Sequence, residues 1–319
     1  GDADPWVAWA ATRCLAAQQE DDGDPQASLG TIEALLGRLH GHDLAGIHLL
    51  ELHLHRLQVL MSLGRYSQVV DACSRAQVLL ERVLPSWGEF FRTTLHMEGA
   101  YCAVYLDPRP ETAGRLLESL EPVDLPGTMR FIARSVRGEL ELTRGNVRTA
   151  ALIQRVSLRY AGNWRSILGS GSQWELYILS MCLVTDVELS PDDAVELDAG
   201  AVRARATSLL REILSDPAPL QRDIPTLMAF AAAVGLSAVA AEDAGSDRRA
   251  VGAELVATAL AVGTNQTCRL LSHDYLRSRT ERLDARALAQ AEERIRSLDR
   301  GGLVAHAADL AGRLAGEVG

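Results

Sequence analysis

The sequence predicts an all-α protein arranged as a solenoid of antiparallel helix hairpins, and three observations carry that prediction. Ala, Leu and Arg are abundant while aromatic residues make up only 5% of the chain, a composition that favours helices over sheets. No segment holds the period-two alternation of a strand for more than a few residues. A short glycine turn recurs between helical patterns at a spacing near forty residues, the mark of stacked helix pairs.

Taken in order, the first helix carries Trp6 and Trp9, three residues apart and therefore on one side, suited to core or end packing. The turn Gly23-Asp24-Pro25-Gln26-Ala27-Ser28-Leu29 leads into the second helix. A helix from about Leu44 sets the apolar stripe Leu50, Leu54, Leu57 and Met61 opposite a polar one, His48, Glu51, His55, Gln58 and Ser62. The turn around Gly64 follows, then a stripe through Cys73, Ala76 and Leu80. Gly145 heads another copy, Arg144 to Ala151, and Gly245 to Ala250 repeats the pattern late in the chain. Gly23 to Gly64 spans 41 residues and Gly64 to Gly145 spans 81, so a copy should fall near residue 105. Leu106 to Ala113 supplies it, lengthened by Pro108 and Pro110. The packing reason is simple: one hairpin cannot bury its own apolar face, so neighbours stack, and glycine ends each first helix in a left-handed conformation.

After Tyr160 the rhythm breaks. Gly162-Asn163-Trp164 and Gly169-Ser170-Gly171-Ser172 read as a linker. Repeats are therefore predicted over 1–161, a break over 162–172, and further degenerate helical repeats over 173–319. In that last part helices are expected at Trp174–Val184, Ala201–Leu214, Ile224–Ala241, Ala250–Val262, Cys268–Glu281 and Ala285–Leu298. An acidic insertion, Asp186–Asp198, interrupts them, and Leu303–Leu314 would serve as the terminal cap.

Bulk properties narrow the function. All 32 basic residues are arginine, which excludes a Schiff-base lysine, a lysine general base and the lysine of a phosphate loop. The net charge of −10 argues against direct nucleic-acid binding, which needs a basic surface. Five scattered cysteines without a Cys-x-x-Cys pattern suit reduced, buried thiols and a cytoplasmic location. No stretch reaches the roughly twenty apolar residues of a membrane helix, and Gly1–Pro5 lacks the character of a signal peptide. Gly1 reads as a cleavage scar, so a piece of a longer protein is expected.

These turns resemble the tetratricopeptide repeat. Gly145, Val147 and Ala150 match its turn glycine, turn aromatic position and small second-helix residue, and Gly138 matches its first-helix glycine. Gly64, Tyr66, Val69 and Ala76 do the same in the earlier copy, with Leu57 in place of the first-helix glycine. His53 and Arg134 stand where that family carries tryptophan, and the period exceeds thirty-four. Both departures look like the degenerate repeats of bacterial transcriptional regulators of the MalT (LuxR-type) or AfsR kind. The resemblance covers residues 10–160 best and implies a right-handed superhelix with a concave groove.

Five of the eight histidines lie between His40 and His55. His48, Glu51 and His55 share a helix face, as a divalent-metal site would need, but the outer pair stands about 10 Å apart along the axis. A solvated polar face accounts for them more simply, and no metal or other cofactor is expected. In the repeat register Glu51, His55, Gln58 and Ser62 fall on groove positions. Thr93 and His96, then Ser135 and Glu139, are their equivalents in the next two copies. Such a groove suits a protein, a peptide or a small-molecule effector. Ser170 lacks the strand and the Gly-x-Ser-x-Gly pattern of a nucleophile elbow. Arginines at 203–205, 248–249 and 277–282 have acids close by and read as surface ion pairs.

The expectation is thus a non-catalytic, ligand- or protein-binding repeat domain, the sensory or regulatory part of a bacterial regulator, with self-association possible. The alternatives are a free-standing protein-protein scaffold and a metal-dependent enzyme using the His40–His55 cluster.

Overall fold

The computed structural model describes residues 4–39, 46–80, 110–118, 127–168, 173–215, 224–241 and 245–316. Of these, 87% are helical and none lies in a strand, so the all-α class holds. No helix among the described residues is long and apolar enough to cross a membrane. The chain divides into two compact units at Arg144/Gly145, ahead of the break expected at 162–172.

The first unit contains α1 (Pro5–Asp21), α2 (Pro25–Arg38), α3 (Gly46–Ser62), α4 (Tyr66–Leu80), α5 (Pro110–Glu118) and α6 (Gly127–Thr143). α1 starts on Asp4, whose Oδ1 accepts from the Trp6 N–H at 2.9 Å, and α2 on Asp24, whose Oδ1 accepts from Ala27 at 2.9 Å. Each cap is followed by a proline, which lacks the N–H that a first helical position leaves idle.

The glycine turns repeat as expected. Gly23 and Gly64 have φ of 73° and 68°. Each turn closes with the same two bonds, Gly23 to Glu20 and Asp24 to Gln19, then Gly64 to Met61 and Arg65 to Leu60. This is the Schellman arrangement, in which a side chain at the glycine would cost about 1–2 kcal/mol. Gly145, with φ of 81°, repeats the conformation. Of the copy expected at Leu106–Ala113, residues 106–109 lie outside the described residues, and α5 begins at Pro110.

Adjacent helices pack in pairs: α1 on α2, α2 on α3, α3 on α4, and α5 on α6. Leu35, Leu39 and Leu52 form a buried cluster joined by Trp9 and Leu49. α3 is buried more widely than one stripe, because it meets α2 as well as α4. Leu52 and Val59 are buried alongside the expected Leu50, Leu57 and Met61, while Leu54 is only half-buried.

The second unit contains α7 (Val147–Leu168), α8 (Gln173–Asp186), α9 (Pro191–Glu196), α10 (Ala199–Ser215), α11 (Ile224–Ala240), α12 (Ser246–Val262), α13 (His273–Ile295) and α14 (Arg300–Gly316), with a 3-10 turn at Arg269–Leu271. α7 runs straight through Gly162 and Asn163. Two weak helix formers cost only about 1 kcal/mol each or less, too little to stop a long helix. The predicted break therefore shrinks to 169–172, which lies outside the described residues. Gly245 is not another left-handed turn: with φ −61° and ψ 166° it stands as the N-cap of α12. The helix expected from Cys268 starts only at His273, after the 3-10 turn.

Every residue of α11 from Thr226 to Val239 is buried, and the helix packs against α8, α10, α12 and α13. Its crossing with α12 is made by two glycines. A Cβ on Gly235 would stand 2.6 Å from the Gly252 carbonyl oxygen, and one on Gly252 would stand 2.7 Å from that of Gly235. α14 returns to pack on both α10 and α12. Stacked repeats touch only their neighbours, so this unit is arranged as a bundle about a central helix.

α13 is two helices. Asp284 leaves the helical conformation (φ −157°, ψ 81°), and its Oδ1 caps the second half by accepting from Ala287 at 2.9 Å. Arg277 and Glu292, which a straight helix would hold about 22 Å apart, form an ion pair of 2.8 Å. The chain therefore doubles back, close to the expected division between 281 and 285.

Candidate functional site

The polar stripe of α3 faces α1 and α2. His55 Nε2 lies 2.6 Å from Glu20 Oε1, at the end of α1, and that carboxylate also accepts from the Ser28 hydroxyl of α2 at 2.8 Å. Glu51 pairs with Arg13 of α1 at 3.6 Å and with His48 at 3.3 Å. Trp6 and Trp9 present edges to the His48 ring, at centroid distances of 4.5 and 4.4 Å. Arg13 lies over the Trp9 ring at 5.4 Å. The two tryptophans near the start thus pack on α3, as end-packing side chains would, although Trp6 remains 49% exposed. On the same helix, burial, aided by the charges of Arg56 and Arg75, holds His53 below the usual imidazole range.

The metal candidates do not converge. His48 goes to Glu51 while His55 goes to Glu20 of another helix. Among the described residues no three His, Cys, Asp or Glu side chains gather as metal ligands would. His40 and His42 lie outside the described residues.

The remaining groove candidates occupy different settings. Gln58 is exposed, and the Ser62 hydroxyl is turned to its own helix, donating to the Val59 carbonyl at 2.8 Å. Ser135 and Glu139, one turn apart on α6, are 0% and 3% exposed. Thr93 and His96 lie outside the described residues. Glu51 and His55 are thus brought together against α1, whereas Ser135 and Glu139 are buried on a helix that packs on α5.

The second unit holds charged centres that local periodicity could not reveal. Arg155 of α7 clamps Asp186 of α8 with bonds of 2.9 and 2.8 Å, and its Nε donates to the Leu197 carbonyl at 3.2 Å. Burial pushes Asp186 above the ordinary carboxylate range despite that clamp, and pushes the neighbouring Cys182 thiol up to about 12. That cysteine is therefore an inert packing residue. Farther along, Glu254 of α12, 7% exposed, receives Arg294 of α13 at 2.7 Å and lies 2.9 Å from His306 of α14. Burial alone would raise its pKa, but these two partners bring it below the usual glutamate range.

Among the described residues of this unit, at least two clefts open. One, of about 610 Å³, lies between α12, the two halves of α13 and the start of α14, with His273, Arg277 and Glu292 on its rim. The His273 Nε2 accepts from the Thr264 N–H at 3.2 Å, and burial lowers its pKa below the usual imidazole range. The other, of about 570 Å³, lies beneath the acidic insertion and includes Asp186, Asp198 and Arg203. The residues that line it were all visible in the sequence, but they come from the end of α8, the segment 187–198, the start of α10 and the end of α11, and nothing local marks their meeting. Within that insertion, α9 is fastened by ion pairs from Arg148 of α7 to Asp193 and Glu196.

No family model, curated protein or solved structure matches this chain.

Proposed function

We propose that the chain is a non-catalytic binding domain, the sensory or regulatory part of a larger bacterial transcriptional regulator. In this reading the first unit is a short, right-handed stack of tetratricopeptide-like hairpins that takes a protein, a peptide or a small effector. The observation that carries it is the repeated turn: Gly23 and Gly64 share the same left-handed backbone and the same two closing bonds, and each joins a pair of packed helices. Regular hairpins of that kind provide extended surface for recognition rather than a single reactive pocket. The −10 charge supports a reading in which this chain does not itself read nucleic acid.

The test is mass spectrometry of what co-purifies with the natural full-length polypeptide, alongside ligand-induced melting of this chain. Specific capture of one partner or effector, lost on deleting residues 1–144, is the expected result. Unaltered regulatory output after deletion of the whole 319-residue segment would overturn the proposal.

A further inference from the structure

α13 breaks at a single residue, and nothing in the sequence around it forbids a helix. Leu283, Ala285 and Arg286 are strong helix formers, and neither proline nor glycine stands between His273 and Ile295. The register also survives the break. In a straight helix of these 23 residues, Leu276, Thr280, Leu283, Ala287, Ala291 and Ile295 would fall within one arc of about 120°. All but Leu283 are buried in the bent form, and Leu283, beside the break, is 37% exposed. The sequence therefore carries one apolar face about 34 Å long, folded in half.

Asp284 decides between the bent and straight forms. In the bent form its Oδ1 caps the second half through the Ala287 N–H. In a straight helix it would fall inside the apolar arc, where a carboxylate is poorly solvated. Arg277 and Glu292 add an ion pair across the bend, but the Arg277 side chain is 57% exposed and such a pair contributes little.

Residues 285–316, beyond the bend, are held to the rest of the unit by contacts that another copy can supply. Leu288, Ala291, Ile295 and Leu303 cluster with Ala257 of α12, and Ala287 clusters with Val239 and Ala253. Arg294 and His306 both reach the buried Glu254. A straight α13 would carry this segment away from its own α12, opening that apolar surface and leaving Glu254 without Arg294 and His306. The same segment from a second chain restores each of these contacts, since it brings the matching apolar face together with the arginine and the histidine.

We propose that two copies of this chain associate by exchanging residues 285–316, with α13 straightened at Asp284. Monomer and exchanged dimer bury the same surfaces, so the balance rests on the hinge and on chain concentration. The proposal does not depend on the regulatory reading of the first unit. Its test is size-exclusion chromatography with light scattering on the full chain, refolded from urea at high and at low concentration. The concentrated wild-type sample should yield a dimer that persists on dilution, because reversal requires the segment to leave its site. Asp284→Leu should raise the ratio of dimer to monomer at least tenfold, by losing the cap and completing the apolar face. Ala285→Pro should abolish the dimer, alone and combined with Asp284→Leu, with the circular dichroism of the monomer unchanged. Proline suits the first position of the second half but breaks the interior of a straight helix. Amide exchange over residues 284–287 should be slower in the dimer, where the helix is continuous. A wild-type chain monomeric in both samples, a ratio unmoved by Asp284→Leu, a dimer that survives Ala285→Pro, or equal exchange at 284–287 in the two species would overturn the proposal.

Discussion

The two units use glycine in opposite ways. In the first, Gly23 and Gly64 serve the backbone: they turn the chain between helices, and α2 carries Gly30 and Gly37 with open space where a Cβ would point. In the second, Gly235 and Gly252 serve packing, each letting the other's carbonyl approach to a distance no side chain tolerates. The polar groups differ in parallel. The first unit joins α1 to α3 through partly exposed pairs, Glu20 with His55 and Arg13 with Glu51. The second buries its acids, Asp186 and Glu254, against arginines. The lesson is that hairpins joined end to end are specified by turns, while a bundle around an apolar helix is specified by contacts distant in sequence.

The contrast is broken most severely at the glycine crossing. Gly235→Val should destabilise the full chain by about 3 kcal/mol or more, since the obstacle is backbone and cannot rotate aside. Urea denaturation checks this. A loss under 1 kcal/mol would mean that α11 and α12 do not cross there.

Next comes the buried acid. Glu254→Gln should cost about 1–2 kcal/mol, discounted from a fully buried pair because Arg294 is half exposed. Glu254 has a depressed folded-state pKa, so its stabilisation is present above the ordinary glutamate range and is lost as pH falls through the lower folded value. Acid titration followed by circular dichroism should show a shallower decline in the variant.

Gly64→Ala should cost about 1–2 kcal/mol through its left-handed backbone. Asp24→Ala, which removes the α2 cap, should cost about 1 kcal/mol. Thermal melting distinguishes both from a neutral change. Smallest, and opposite in sign, Gly30→Ala should stabilise the chain by up to about 1 kcal/mol, because helix propensity is gained and nothing is displaced. A loss there would show that α2 is packed on its open side.

Much of the backbone was legible. Turn glycines and the division near Asp284 are local events, decided by φ preference and capping within a few residues. The extent of α7 was misread because Gly162 and Asn163 are weak helix formers but not helix breakers. Gly245 was misread because a glycine serves an N-cap as well as a C′ position. Sites were legible only as faces. The period placed His55 and Glu51 on one polar stripe, but that they meet Glu20 and Arg13 depends on residues from another helix. The lack of any polar side on α11 marks a helix buried all round, yet which helices surround it lies beyond any local window.

The way α9 is fastened has a consequence for solution conditions. Both ion pairs to Arg148 are exposed, and charges in that setting are screened within about 10 Å at 0.1 M ionic strength. Concentrated salt should therefore loosen residues 191–196 well before it disturbs the apolar core, and amide exchange in that stretch should quicken with added sodium chloride while α11 stays protected.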